Sequence, residues 1–83
     1  CGNILMAGQK QGVGRQVELL AGIPHTVPAY SVNMICGSGM KAVMNAYCDI
    51  QANFANVVIA GGTEVMSNTP FLVPSSATTF IVV

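Results

Sequence analysis

The sequence predicts an α/β fold in which two parallel strands are joined by a helix. Residues 29–35 alternate apolar and polar side chains, which is the period of a strand. After a glycine-rich turn at residues 36–39, apolar side chains recur every three or four residues as far as Ile50, which is helical spacing. Residues 56–60 are continuously apolar, as expected for a strand covered on both faces. A crossover of this length makes the two strands parallel, and such units build layered α/β folds.

The flanking segments predict a second helix and irregular chain. Residues 13–21 have helical apolar spacing, and Gly22 followed by Pro24 predicts that this helix stops there. Asn53 tolerates left-handed backbone and is expected to end the longer helix. The remaining predictions are a strand end running into a loop at 1–12, a loop at 68–79 and a strand at 78–83.

The composition predicts a piece of a larger protein. The chain has 83 residues, of which 52% are hydrophobic and 7% charged, against about 25% charged residues in an ordinary domain. A small domain has much surface for its volume, so this chain folded alone would expose apolar patches. We expect other polypeptide to cover it, and a first residue of Cys1 suggests missing chain upstream. Helix or strand spacing predicts that four methionines and one cysteine pack in the core: Met34, Met40, Met44, Met66 and Cys48.

Charge and cysteine usage exclude several classes of function. A net charge of zero argues against a nucleic-acid surface and against an electrostatic membrane anchor. No apolar run approaches the roughly 18 residues needed to cross a bilayer. Three cysteines without paired spacing give neither a disulfide framework nor a metal site. We expect reduced thiols in a reducing compartment, the cytoplasm first, with mitochondria or peroxisomes left open.

Cys36 is the candidate catalytic residue, because it lies where a strand gives way to a helix. The first amides of a helix lack intrahelical partners and carry partial positive charge, which stabilises a thiolate. Gly37 and Gly39 leave the backbone bare, so an acyl group can approach the sulfur and amide groups can hold an oxyanion. The alternative from position alone is a buried structural cysteine beside a tight turn.

A second pattern points to a different function. Gly37, Gly39 and Ala42 satisfy G-x-G-x-x-A between a strand and a helix, and Glu64 follows the next strand. This is a nominal fingerprint of a dinucleotide-binding oxidoreductase, in which the acidic residue binds a ribose. Glu64 follows Gly61-Gly62-Thr63, however, and loop backbone is its expected hydrogen-bond partner, since a buried carboxylate without partners is costly.

The wider sequence resembles the thiolases, of the acetyl-CoA acetyltransferase type. The stretch VNMICGSGMKAVMNA at residues 32–46 resembles the nucleophile segment of that family, and the match covers roughly residues 2–76. Four further segments carry the likeness: GNILMAG at 2–8, GVGRQVELLAGIP at 12–24, VPAYSVN at 27–33 and VVIAGGTEVMSNTPFLVP at 57–74. The resemblance implies part of a layered αβαβα fold, with residues 1–83 forming a partial N-terminal thiolase domain.

The resemblance also implies a reaction and partners. Cys36 takes an acyl group from an acyl-CoA thioester, and a second acyl-CoA is condensed with it to form a 3-oxoacyl-CoA, or the reverse. The Cys36 amide is expected to contribute to an oxyanion hole that Gly37 and Gly39 shape. Coenzyme A thioesters are substrates, and no metal or redox cofactor is expected. The full protein is expected to form homodimers or homotetramers, with residues 29–35 near the contact.

Two parts of the thiolase pattern are absent from these residues. The family uses a histidine in a Gly-His-Pro segment and a late second cysteine, and neither segment is present. The only histidine, His25, lies in a loop and is not expected to be the base. Ser38 lacks the flanking glycines of a serine-hydrolase elbow. The fragment alone is therefore expected to be inactive, and a non-catalytic module is the remaining alternative.

Overall fold

Two α-helices dominate the computed structural model, which describes residues 1–74 and 80–82. Helix α1 spans Val13–Leu20, and Gly22 just beyond it has a left-handed φ of +81°. Helix α2 spans Ser38–Gln51, and Asn53 has a φ of +61° after its end. Both helices and both stopping residues confirm the predictions, because helical spacing and left-handed termination are local properties of the chain.

Within the described residues, parallel pairing consists of isolated bridges, one of them between Met34 and Cys36 and two at the N-terminal segment 1–3. Gly2 forms one parallel bridge with Val32 and another with Gly62. The Gly2 amide donates to the Gly61 carbonyl at 2.7 Å, and the Asn3 amide donates to the Val32 carbonyl at 3.1 Å. The segments around Val32 and Gly62 therefore run parallel to each other, as predicted, but segment 1–3 lies between them.

The predicted strands at residues 29–35 and 56–60 are wrong as regular strands. The first segment contributes only isolated bridges, and the second contributes none, because the bridge falls at Gly62. A strand is stabilised by pairing along its length, and segment 1–3 presents only Gly2 as a bridge partner. The side chains of Val57 and Ile59 are accordingly exposed by more than four-fifths.

A short antiparallel hairpin lies beyond residue 70. Strand β1 spans Leu72–Pro74 and pairs with strand β2, which spans Phe80–Val82. A 3₁₀ turn, Met66–Asn68, precedes β1. The predicted loop at 68–79 is thus wrong over β1, since residues 80–82 supply a pairing partner from further along the chain. The predicted terminal strand is confirmed over Phe80–Val82; the rest of both predictions, at residues 75–79 and 83, lies outside the described residues.

The hydrophobic core of the described chain is very small. Only Val13 and Ala42 are buried apolar residues among those described. The accessible surface of 6472 Å² exceeds the roughly 4,700 Å² expected for a compact 8.6 kDa protein. The prediction that the chain exposes apolar patches is therefore confirmed.

The predicted core positions on and around α2 are wrong in the described chain. Met34, Met40, Met44 and Met66 are all at least half exposed, and Cys48 is exposed as well. Within α2 only Ser38 and Ala42 are buried. Helical spacing correctly predicted the helix, but no described element covers its apolar face.

Arg15 ties α1 to the loop that follows it. Its guanidinium donates to the Glu18 carboxylate at 2.7 Å and to the carbonyls of Val27 and His25 at 2.8 and 2.9 Å. Glu18 is buried, so the pair sits in a partly dry environment. These contacts explain an arginine early in a helix, where the dipole itself disfavours positive charge.

Among the described residues, no helix is both long and apolar enough to cross a membrane.

Candidate active site

Cys36 lies in a tight turn that leads into α2. The first helical residue is Ser38 and Gly37 caps it, so Cys36 precedes the helix by two residues. The Gly37 amide donates to the Met34 carbonyl and the Ser38 amide to the Ile35 carbonyl, both at 3.0 Å. The Cys36 side chain is exposed, and its thiol is free. Within the described residues Cys36 is therefore not a buried cysteine.

Ile35, immediately before Cys36, has a left-handed backbone. Its φ is +49°, a conformation that is unfavourable for any L-residue and rare for a β-branched one. Strained backbone of this kind persists only where surrounding contacts hold it. No sequence signal predicts it, because isoleucine is among the residues least expected there.

Side-chain hydrogen bonds hold this turn from both sides of Cys36. The buried Ser38 hydroxyl accepts from the Met34 amide at 2.8 Å and donates to the Ile35 carbonyl at 2.6 Å. The Asn33 side-chain oxygen accepts from the Ile35 amide at 3.1 Å. The turn that presents Cys36 is therefore fixed by side chains as well as by backbone.

The amide groups around Cys36 differ in their availability. Within residues 1–74 and 80–82, the amides of Cys36 and Gly39 have no hydrogen-bond acceptor. The Gly37 amide is already paired with the Met34 carbonyl, in keeping with the expectation that Gly37 shapes the oxyanion site while the Cys36 amide donates. The tight turn uses the Gly37 donor, while the amides of Cys36 and Gly39 stay unpaired at the start of the helix.

Cys36 opens onto a shallow depression of about 470 Å³. The segment around Gly62 and the start of α2 form its walls. Its other lining residues are Gly2, Ile4, Ile35, Ser38, Gly39, Gly62, Thr63, Glu64 and Met66. Small and apolar residues predominate, so the thiol faces a surface that an acyl chain can contact.

Gly2 brings the N-terminal segment directly against the start of α2. A Cβ atom placed on Gly2 would lie 2.5 Å from the Ser38 carbonyl carbon and 2.6 Å from the Gly39 nitrogen. Only glycine permits this approach, because both obstacles are backbone atoms. Sequence reasoning missed Gly2, although a glycine beside a short apolar run is the signal of such a close approach.

Glu64 lines the depression and is hydrogen-bonded to residues 3–5. Its carboxylate accepts from the amides of Ile4 and Leu5, at 2.9 and 3.1 Å, and from the Asn3 side-chain nitrogen at 3.1 Å. The predicted structural role of Glu64 is thus confirmed. Both carboxylate oxygens are occupied by segment 3–5, which counts against Glu64 as a ribose-binding residue.

The other candidates lie away from this depression. His25 is an exposed turn residue and does not line the depression, which confirms only its predicted position in a loop. Cys48 lies near the far end of α2. In the part of the chain that the structure describes, no cluster of histidine, cysteine, aspartate and glutamate side chains can hold a metal ion.

Together these features define a class of protein with an exposed cysteine in a strained turn at the start of a helix. An attacking thiol, bare amides and an open approach are the requirements of nucleophilic acyl transfer.

Comparison with known proteins identifies the family. Residues 1–81 match the family model of the thiolase N-terminal domain. A probable acetyl-CoA acyltransferase of Staphylococcus aureus strain NCTC 8325 is 47% identical over 75 residues. A protein of the same description from Staphylococcus epidermidis strain RP62A is also 47% identical over 75 residues. In both cases 90% of this chain but only 19% of the relative is covered, so the chain spans about a fifth of its relatives' length.

The chain belongs to the thiolase family, and its fold is the α/β fold of the thiolase N-terminal domain. This confirms the resemblance that the nucleophile segment suggested.

Proposed function

We propose that Cys36 is the nucleophile of an acyl-CoA acyltransferase, a thiolase of the acetyl-CoA C-acetyltransferase type. The observation that carries the proposal is the exposed Cys36 thiol, set beside unpaired amides on an open depression. Family membership and the description of the relatives as probable acetyl-CoA acyltransferases support the acyl-CoA substrate.

The first step is an acyl transfer to sulfur. The Cys36 thiolate attacks the carbonyl carbon of the acyl-CoA thioester, and negative charge moves to the carbonyl oxygen. The free amides of Cys36 and Gly39 are the proposed donors to that oxygen. Collapse of the adduct breaks the bond to the coenzyme A sulfur, which leaves as thiolate and takes up a proton.

The second step forms a carbon–carbon bond. The α-carbon of a second acyl-CoA loses a proton to a base and attacks the carbonyl of the acyl-enzyme. The bond to Cys36 breaks, the thiolate is regenerated, and a 3-oxoacyl-CoA is released. Residues 1–83 contain no Gly-His-Pro segment. We propose that the base and the second cysteine come from the remaining part of the thiolase chain, and that residues 1–83 alone do not catalyse condensation.

We further propose that the remaining polypeptide and a second subunit cover the exposed apolar surface. In this proposal the full protein has the layered αβαβα fold and forms a homodimer or homotetramer. Residues 29–35 lie near the subunit contact. No metal or redox cofactor takes part in the proposed steps. The three free thiols support a reducing compartment.

The test is to trap the acyl-enzyme in the purified full protein, in which residues 1–83 are joined to the remaining part of the thiolase chain. The protein is mixed with acetyl-CoA, quenched in acid and digested, and each cysteine peptide is weighed by mass spectrometry. We expect acetylation of Cys36, its loss in Cys36→Ala, and its retention in the matched variant Cys48→Ala. Equal acetylation of Cys36 and Cys48, or none at Cys36, would overturn the proposal.

A further inference from the structure

We infer that Ser38 is a positioning residue, whose hydroxyl holds Ile35 in its strained conformation and thereby places Cys36 at the depression. The inference rests on the proposed function, because it assigns a role toward the Cys36 thiol. The sequence around Ser38 lacks the flanking glycines of a hydrolase nucleophile and assigns the hydroxyl no other role.

The two hydrogen bonds of the Ser38 hydroxyl support this positioning role. It accepts from the Met34 amide and donates to the Ile35 carbonyl, so both of its partners precede Cys36 in the chain. The hydroxyl therefore closes a loop around Cys36, and its bond to the Ile35 carbonyl holds the peptide group that also carries the Cys36 amide. Ser38 is only 5% exposed, which keeps water from replacing either bond.

The second argument is the strain at Ile35. A β-branched residue leaves the left-handed region unless contacts oppose it. The Ile35 carbonyl accepts from both the Ser38 amide and the Ser38 hydroxyl. Removal of the hydroxyl halves the donors to that carbonyl and leaves the Met34 amide unpaired. Ile35 is then free to relax toward ordinary backbone, and rotation about its φ and ψ moves Cys36.

The Ile35 side chain contributes little to holding its own strained backbone in place. Its side chain is 69% exposed, so burial of the isoleucine does not hold the turn. The hydrogen bonds of Ser38 and of Asn33 are the restraints that the described side chains provide.

The experiment measures the alkylation of Cys36 relative to Cys48 in the purified protein. Limiting iodoacetamide is used across a range of pH, and labelling is quantified by peptide mass spectrometry. In the unaltered protein Cys36 is expected to react faster than Cys48. In Ser38→Ala this preference should fall by about tenfold, the order expected for the loss of one or two neutral hydrogen bonds.

Two further variants separate positioning from general stability. Ser31→Ala is the matched control, because the Ser31 hydroxyl accepts from the Gly14 amide at 2.8 Å and does not line the depression. It removes an equivalent bond and should leave the Cys36 preference unchanged. In a double variant, Ile35→Gly with Ser38→Ala, the preference should recover relative to Ser38→Ala alone, because glycine adopts left-handed backbone without strain.

The outcomes are distinguishable. If Cys36 shows no preference in the unaltered protein, the proposed nucleophile fails. If the preference exists but survives in Ser38→Ala, the positioning role of Ser38 is wrong while the proposed function stands. If Ser31→Ala lowers the preference as much as Ser38→Ala, or if glycine at position 35 restores nothing, the role of Ser38 is general stability and the inference is overturned.

Discussion

Replacement of Gly2 by alanine should destabilise the protein far more than its small size suggests. The added Cβ would meet three backbone atoms of α2, at 2.5 Å from the Ser38 carbon, 2.6 Å from the Gly39 nitrogen and 2.7 Å from the Ser38 oxygen. Favourable contact between such atoms begins near 3.5 Å, so the segments must separate by roughly 1 Å. No side-chain rotation relieves the clash.

The expected cost follows from that geometry. Overpacking of a closely packed contact costs about 1 to 3 kcal/mol, and we expect the upper end, about 3 kcal/mol, because only backbone can move. Separation also strains the bonds that Gly2 makes with Gly61 and Thr63. The free energy of unfolding is measured by urea denaturation of the purified protein. The variants are compared at the same m-value, which is the slope of that free energy against urea concentration.

Gly61→Ala is the matched control for this prediction. No heavy atom lies within 4 Å of a Cβ added at Gly61, and its φ is not left-handed. Its free energy of unfolding should stay within about 1 kcal/mol of the unaltered value. Equal stability of Gly2→Ala and Gly61→Ala would refute the close packing of segment 1–3 on α2.

Two other substitutions test the braces around the site. Glu64→Gln should lower the free energy of unfolding by about 1 to 2 kcal/mol, because it removes the charge-assisted character of the hydrogen bonds from the Ile4 and Leu5 amides. Asp49→Asn should change the free energy of unfolding little, because the Asp49 side chain accepts no hydrogen bond within the described residues. Equal effects of Glu64→Gln and Asp49→Asn would contradict the role of Glu64. Arg15→Gln should cost about 2 kcal/mol, because it leaves the buried Glu18 carboxylate without its ion pair. Thermal or urea unfolding beside the exposed control Lys10→Gln checks this, and a loss below that of the control would contradict it.

The helices were predictable because their signals are local. The spacing of apolar residues, Gly22 and Asn53 all act within a few positions, and the structure places both helix ends accordingly. The strand segments were not predictable in the same way, because strand pairing depends on residues far away in the sequence. Gly2 bridges Val32 and Gly62, which lie 30 and 60 positions away. Segment 56–60 has strand composition but no bridge.

The candidate site was predictable in part for the same reason. The strand-to-helix pattern placed Cys36 immediately before a helix, and the structure has α2 begin at Ser38. The cost of an unpaired carboxylate predicted that Glu64 bonds to backbone. The strain at Ile35 runs against the residue's own preference, so no propensity indicates it. The role of Ser38 was not predictable, because the serine-hydrolase motif describes a hydroxyl that attacks a substrate. It gives no information about a hydroxyl that holds a turn through hydrogen bonds.

Acetylation of one sulfur atom tests the central claim most directly. A brief reaction of the purified full protein with acetyl-CoA, quenched in acid, should place a single acetyl group on the peptide that contains Cys36. Added free coenzyme A should remove that group by the reverse transfer. An unmodified Cys36 peptide, or an acetyl group that forms equally on Cys48, would contradict the assignment of this turn as the acyl-transfer centre.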